Sequence, residues 1–458
     1  MGDVLVVTLT PDRYVNKGPH RPAFTEALRA EVLAALDAVD FVAINQWPTA
    51  VEAIRLLQTD IYVKGQDYQQ AAQDVTGGIL MEAEAVAAVG GRIQFTNDIT
   101  FSSSNLINRY LPAFSPEVNE YLQRFRERYS ADDIKSCLEE LATLRVVVIG
   151  EAILDEYVYV EPLNKSGKEP ILAMRHQSRE MYAGGSLAIA NHLADFCGEV
   201  QLVTYLGDRD AHEDFIREHL KPTVQPVFVE KANSPTVLKR RYVDSYALRK
   251  LFEVYEINDE PLANDEEARV ASALKTGLAA CDVAIACDFG HGLITSPVAR
   301  LLEQRAPFLA VNTQINAANL GFHTISKYAR ADYACIQESE IRLDSRSRKE
   351  DLRTLVENLT GQMGCQLTTV TRGKQGSAHY RPGEGYVESP SLALEIVDRV
   401  GAGDAVFAIT SLCASRGLPA EVIGFIANIV GAQAVNIVGN SRSIARPALL
   451  KTIDSLLK

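Results

Sequence analysis

Asp398-Arg399-Val400-Gly401-Ala402-Gly403-Asp404-Ala405-Val406-Phe407-Ala408 lies between a strand-like run carrying Leu392, Leu394 and Ile396 and an apolar, helix-like run from Ala405 to Ala414. Two glycines around a small residue at such a junction let the N–H groups of Gly401, Ala402 and Gly403 converge on one point. The first turn of the helix adds unpaired donors and a positive dipole end. The stretch therefore reads as an anion hole. Asp404 at its mouth repels an anion, which suits it instead to take the proton from a hydroxyl that then attacks phosphorus. Taken alone, Gly-x-Gly-Asp also describes a tight strand-to-helix turn with Asp404 as an early-helix carboxylate, so the choice depends on the other junctions of the chain.

The 458 residues suffice for roughly two to three domains, fewer if α/β domains are large. A net charge of −13 argues against a broad nucleic-acid surface, so an anionic substrate has to be held by local basic residues and helix ends. The cysteines, Cys137, Cys197, Cys281, Cys287, Cys335, Cys365 and Cys413, are odd in number and never form Cys-x-x-Cys, and the histidines show no metal-ligand spacing. They read as reduced, mostly buried thiols rather than a disulfide framework or a zinc site. No apolar run reaches the roughly 18 residues of a membrane span, and Met1-Gly2-Asp3 carries no basic export signal. The expectation is a cytoplasmic protein with neither membrane nor nucleic-acid partners.

Val4–Leu9 is a short continuous apolar run of the kind found in buried parallel strands. A helix-like segment from Thr25 to about Val39, strand Phe41–Ile44, helix Ala50–Leu57 and strand Asp60–Val63 complete a βαβαβ pattern, half of a doubly wound sheet. From Pro112 the pattern changes to two charged helix-like segments, Pro116–Tyr129 and Ala131–Leu144, preceded by the capping signals Ser115 and Ser130. A helical linker fits this region, and so does a dimerisation hairpin that would make a homodimer.

The C-terminal two thirds repeat one device, a strand ending in a turn of glycine and polar residues. Arg145–Asp155 reads as a strand breaking at Gly150 and delivering acidic groups to its C-terminal edge, where α/β proteins bind ligands. Ala183-Gly184-Gly185-Ser186 opens an apolar helix over Leu187–Phe196. Strand Val200–Tyr205 ends in Leu206-Gly207-Asp208. Thr236–Val243 puts Lys239 and Arg241 on one strand face by alternation, a basic pair able to hold a sugar phosphate or simply to face solvent. Val283–Cys287 runs into Asp288-Phe289-Gly290-His291-Gly292, Tyr333–Ile336 into Gln337-Glu338-Ser339-Glu340, and Leu367–Val370 into Thr371-Arg372-Gly373-Lys374-Gln375-Gly376.

In this order the Gly-Gly turn, Asp-x-Gly-x-Gly, x-x-Glu, Thr-Arg-Gly-x-x-Gly and Gly-Ala-Gly-Asp motifs resemble the ribokinase/PfkB sugar-kinase family, most of all its heptose-7-phosphate kinase branch. The resemblance implies Asp404 as the base, with Gly401, Ala402 and Gly403 stabilising the transferring phosphoryl group. It implies Asp155, Gly184 and Gly185 at the sugar, Lys239 and Arg241 near its phosphate, and Glu340 orienting Mg2+ through water. Arg372, Gly373 and Gly376 would line ATP, with Asn428 near the adenine. Ala188, His291 and Gln337 depart from the family's asparagine, lysine and asparagine, which alters the sugar pocket and leaves the phosphoryl machinery intact. No Gly-x-x-x-x-Gly-Lys-[Ser/Thr] occurs, so a P-loop mechanism is excluded.

The N-terminal third resembles the cytidylyltransferase-like domain of bifunctional heptose-phosphate kinase/nucleotidyltransferases. The likeness lies in Arg21-Pro22 with Arg29, Val63-Lys64-Gly65-Gln66-Asp67-Tyr68, and Phe101-Ser102-Ser103-Ser104-Asn105-Leu106-Ile107. It implies Lys64, Ser102, Ser103 and Ser104 as nucleotide-binding residues. The family's first strand and His-x-Gly-His motif have no counterpart here; the chain starts at the Gly-Asp that follows them, Gly2-Asp3.

The expected architecture is α/β: residues 1–111 a truncated Rossmann-like nucleotidyltransferase domain, 112–144 a helical connector, and 145–458 a ribokinase-like doubly wound sheet domain. The expected activity is ATP- and Mg2+-dependent phosphorylation of a sugar or sugar phosphate in nucleotide-activated sugar biosynthesis. The alternatives are a bifunctional enzyme whose start lies upstream and a decayed sugar- or nucleotide-binding regulator. Nucleotidyl transfer by the chain as given should be negligible, and formation of a nucleoside-diphosphate sugar by the purified 458-residue protein would contradict this.

Overall fold

The computed structural model describes residues 2–15, 22, 24–65, 78–96, 114–166, 168–317 and 319–457. The chain divides into two compact units, residues 1–131 with 446–458, and residues 132–445.

In the first unit, strand β1 (Val6–Leu9) pairs in parallel with β2 (Phe41–Ile44), and β3 (Ile61–Lys64) with β4 (Arg92–Phe95). Among the described residues no strand joins these two pairs. The helix expected from Thr25 runs over Glu26–Ala34, with the Thr25 hydroxyl accepting the Leu28 N–H at 3.4 Å. A small core of Ile54, Ala85 and Val86 packs with Tyr62 and Ile93. Helix Pro116–Arg126 begins at the Ser115 cap and buries Val118, Tyr121, Leu122 and Phe125. Arg126 donates to Leu456 O at 2.9 and 2.6 Å, closing the end of the C-terminal helix Arg446–Leu457.

The second unit is built on a nine-stranded sheet. Its seven parallel strands run in the order β15 (Leu367–Thr371), β14 (Tyr333–Gln337), β13 (Leu309–Thr313), β12 (Val283–Asp288), β5 (Arg145–Gly150), β8 (Glu199–Arg209) and β9 (Val224–Pro235). β16 (Ser377–Arg381) and β17 (Gly385–Ser389) extend the β15 edge antiparallel. These central strands are buried almost throughout, which is why they read as continuous apolar runs. A separate four-stranded sheet has the order β11 (Lys250–Glu256), β10 (Val237–Asp244), β6 (Ala152–Lys165) and β7 (Leu172–Gly185).

Two expectations need correction. Arg145–Asp155 is not one strand: β5 ends at Gly150 and β6 begins at Ala152, in different sheets. Glu151 between them is fully buried, and its carboxylate accepts the N–H groups of Phe289 at 3.0 Å, His291 at 3.0 Å and Leu293 at 3.2 Å. It thereby fixes the loop after β12. Leu392–Ile396 forms no strand either. The N–H groups of Val397 and Asp398 both go to Val435 O, at 2.9 and 3.0 Å, so this segment follows the end of a helix rather than a sheet edge.

A Cβ on Gly150 would overlap the backbone and thiol of Cys287 on the neighbouring strand. Gly150→Ala should therefore lower the urea midpoint of the second unit, by about 1–3 kcal/mol, and an unchanged midpoint would show that β5 and β12 are less closely apposed.

Candidate active site

Helix Ala402–Ser415 is apolar on all sides, and Ala405–Ala414 is buried throughout. Such a helix can lie only inside the unit, and its N-terminal turn is held with it. Gly401 precedes it at φ +79, and a Cβ there would overlap the Asn440 side chain, so only glycine fits. The first helical bond is Ala405 N–H to Gly401 O at 3.0 Å, which leaves the preceding N–H groups without helical acceptors. At Gly403 a Cβ would meet nothing within 4 Å: the donor face of the turn is open.

Asp404 sits in the first turn with part of its surface towards this opening. Burial among protein atoms pushes its carboxyl up to about 7; Asp155 and Glu340 push the same way, and Lys239 partly offsets them. A carboxyl poised near neutrality, beside open N–H donors, can accept a proton from a bound hydroxyl at ordinary pH.

The four-stranded sheet supplies the next group. Parallel pairing sets Lys239 on β10 opposite Asp155 on β6, and both are buried together with Arg241. Arg241 is ion-paired to Asp155 and, at 3.0 Å, to Glu253. Lys239 has no ion pair among the described residues; its ammonium lies 5.5 Å from the Tyr255 ring centroid, and burial lowers its proton affinity against the pull of Asp155. It is the cation left over for an anionic group. Gly184 packs so closely on Asp155 that a Cβ would strike the carboxylate, and Gly185, at φ +56, turns β7 into helix Ser186–Leu193.

The remaining expected residues lie along the C-terminal ends of β14 and β15. Glu340 caps its own helix, accepting Gln337 N–H at 2.9 Å and Ile315 N–H at 2.9 Å, and burial raises its proton affinity. Arg372 bridges Glu338 and Glu388 at 3.0 Å each. Gly373 and Gly376 adopt φ +57 and +84, and a Cβ on Gly376 would strike the Ser389 carbonyl. Asn428 donates to Ser377 Oγ at 2.8 Å and Gly424 O at 2.9 Å. In the first unit Lys64 pairs with Glu82 at 2.8 Å. Arg21, Gln66–Tyr68 and Phe101–Ile107, hence Ser102, Ser103 and Ser104, fall outside the described residues.

Sequence reasoning passed over several groups that shape this site. Besides Glu151, they are Lys231, which donates to Asn258 O, Glu260 O and His291 O, and Asp259, 2.6 Å from His291 Nδ1. Their partners stand 27 to 60 residues away in the chain, and nothing local marks them.

A family model described as pfkB family carbohydrate kinase matches residues 143–445. The bifunctional protein HldE of Rhodopseudomonas palustris (strain TIE-1) is 24% identical over 319 residues, covering 69% of this chain and 64% of that protein. HldE of Azotobacter vinelandii (strain DJ / ATCC BAA-1303) is 26% identical over 321 residues, covering 68% and 63%. The match thus spans a little under two thirds of these relatives' length. The tetrameric inhibited form of phosphofructokinase-2 from Escherichia coli superposes with a TM-score of 0.55 at 13% identity, covering 69% of this chain and 100% of that chain. Ribokinase from Giardia lamblia gives 0.53 at 17% identity, covering 68% and 98%. These superpositions show a ribokinase-like α/β fold in the second unit.

The two glycines of the turn should part company on substitution. Gly401→Ala should destabilise by about 1–3 kcal/mol, through its left-handed backbone and the overlap with Asn440. Gly403→Ala should leave the melting temperature unchanged or raise it, by up to about 1 kcal/mol of helix propensity. Equal effects in a thermal melt would refute this reading of the turn.

Proposed function

Because the chain belongs to the pfkB family of carbohydrate kinases, we propose that residues 132–445 transfer the γ-phosphoryl group of ATP to a hydroxyl of a sugar or sugar phosphate. A heptose-phosphate-like acceptor, in a pathway making nucleotide-activated sugars, is the acceptor we favour, in line with the similarity to the HldE proteins. The observation that carries the reading is Asp404: a carboxyl raised to about 7 in the first turn of a buried helix whose donor face is open at Gly403.

In the proposed reaction Asp404 takes the proton from the acceptor hydroxyl as its oxygen bonds to the γ-phosphorus, and the bond from phosphorus to the bridging oxygen breaks to release ADP. The N–H groups of Gly401, Ala402 and Gly403 stabilise the charge on the transferring phosphoryl oxygens. Asp155 with the Gly184-Gly185 turn holds the sugar, and Lys239 meets an anionic group on sugar or nucleotide. Arg241, already neutralised by Asp155 and Glu253, orients Asp155, and it reaches a phosphate only by exchanging those partners. Arg372, Gly373, Gly376 and Asn428 form the ATP side.

Among the described residues no cluster of three acidic, cysteine or histidine side chains could enclose a metal. Mg2+ therefore fits this site only as a hydrated ion on the ATP phosphates. Glu340, with a lone pair on each oxygen beyond its backbone bonds, would hold one of its waters. The ion would neutralise phosphate charge. In the first unit, Lys64 with Ser102, Ser103 and Ser104 is proposed as the remnant of a nucleotide site.

Asp404→Asn should lower kcat at least about 10²-fold, the weight of general-base catalysis, while leaving ATP affinity near wild type. In the wild type kcat/KM should fall on the acid side of about pH 7, because protonation removes the base. Retained turnover in Asp404→Asn, or a rate flat between pH 5 and 8, would refute the assignment.

A further inference from the structure

The turn that presents Gly401–Gly403 is held from outside its own helix. Asp398 is 7% exposed, and its carboxylate has four donors. Lys250 Nζ at 2.6 Å and Val400 N–H at 3.2 Å bind Oδ1, while Tyr157 OH at 2.6 Å and Gly439 N–H at 3.0 Å bind Oδ2. Two donors are local to the turn: Val400 lies one residue before Gly401, and Gly439 one residue before the Asn440 that closes over Gly401. The other two belong to the four-stranded sheet, Tyr157 to β6 and Lys250 to the start of β11. The Lys250 ammonium also lies 5.3 Å from the Tyr157 ring centroid. A single carboxylate thus ties the sheet that carries Asp155 and Lys239 to the turn that carries the open N–H donors.

The chemistry makes this tie stiff. Burial by itself raises the proton affinity of Asp398, and Lys250, Tyr157 and the two N–H groups more than offset it, so the group is held below its ordinary value and stays charged. A buried carboxylate stripped of its cation is costly and relaxes towards solvent or another donor, and here it can do so only by moving the turn. Neither Tyr157 nor Lys250 is required for the sheet itself, since both act through side chains aimed at Asp398.

We propose that Tyr157 and Lys250 are positioning residues for phosphoryl transfer: through Asp398 they hold the Gly401–Gly403 donors in register with the sugar-binding strands β6 and β10. Seating a sugar against β6 and β10 then pulls on the anion-binding turn, so acceptor occupancy and phosphoryl stabilisation are mechanically linked. This rests on the kinase reading above, and the pairs involved, 241 and 148 residues apart in the chain, have no part in that reading.

The test uses the full chain carrying Lys250→Met, Tyr157→Phe or Lys250→Arg, with two readouts. Amide hydrogen exchange of the peptide spanning Val400–Ala405 should quicken at least about tenfold in Lys250→Met and Tyr157→Phe, with the β12 and β14 peptides unchanged. With the acceptor used by the wild type, kcat should fall about tenfold or more while KM for ATP stays within about threefold, and Lys250→Arg should recover most of the loss. Unchanged exchange in both variants, or kcat within about twofold of wild type, overturns the inference. If the wild type phosphorylates no acceptor, the kinase reading fails and the exchange data alone decide the coupling. If Lys250→Met does not fold, Tyr157→Phe, which keeps the ion pair, decides it.

Discussion

Burial of helix Ala402–Ser415 is the constraint on which the site depends. Ten consecutive residues, Ala405–Ala414, are out of contact with water, so the helix can neither rotate nor slide without opening the core. Its first turn is fixed by the same packing. Donors that must act on a developing charge gain from being held in place beforehand, because nothing then has to reorganise as the charge forms. The burial that fixes the donors also raises the Asp404 carboxyl to about 7. Position and basicity have one physical source.

The acidic groups around this helix divide by how they are satisfied. Glu151 receives three backbone N–H groups, Asp398 four donors, and Asp288 the Lys327 ammonium at 2.7 Å and the Tyr328 hydroxyl at 2.8 Å. Asp398 and Asp288 are shifted down in spite of burial, and their role is to hold loops and turns. For Asp404 no donor is found among the described residues, and it is shifted up. Opposite shifts among buried carboxylates separate those that hold structure from the one able to exchange a proton. Lys239 makes the matching contrast among the cations, since the neighbouring Arg241 is already paired twice.

The parallel core of the second unit was legible because its strands are buried on both faces and so read as short apolar runs. The Gly401–Asp404 turn was legible because a left-handed residue in a crowded place leaves glycine as the only choice. The four-stranded sheet was not: β7 is mostly exposed over Leu172–Met181, so its residues carry no apolar run, and β6 looked like a continuation of β5 because the break falls within the two residues Gly150 and Glu151. The alternation of Leu392, Leu394 and Ile396 suggested a strand, but the backbone there has no sheet partner and Val435 O takes the donors that follow. The donors to Asp398 come from residues 157 and 250, and no local pattern announces such a meeting. In the first unit the strand pairs were legible, whereas the Ser102–Ser104 turn lies outside the described residues.

The account turns on one transfer. The direct measurement supplies the purified chain with ATP labelled in its γ-phosphate, Mg2+ and a panel of sugars and sugar phosphates, then follows where the label goes. The account predicts acceptor-dependent ADP formation, with the label recovered in a phosphate ester on a sugar hydroxyl. Label found only as inorganic phosphate, or remaining in ATP with every acceptor, would contradict it.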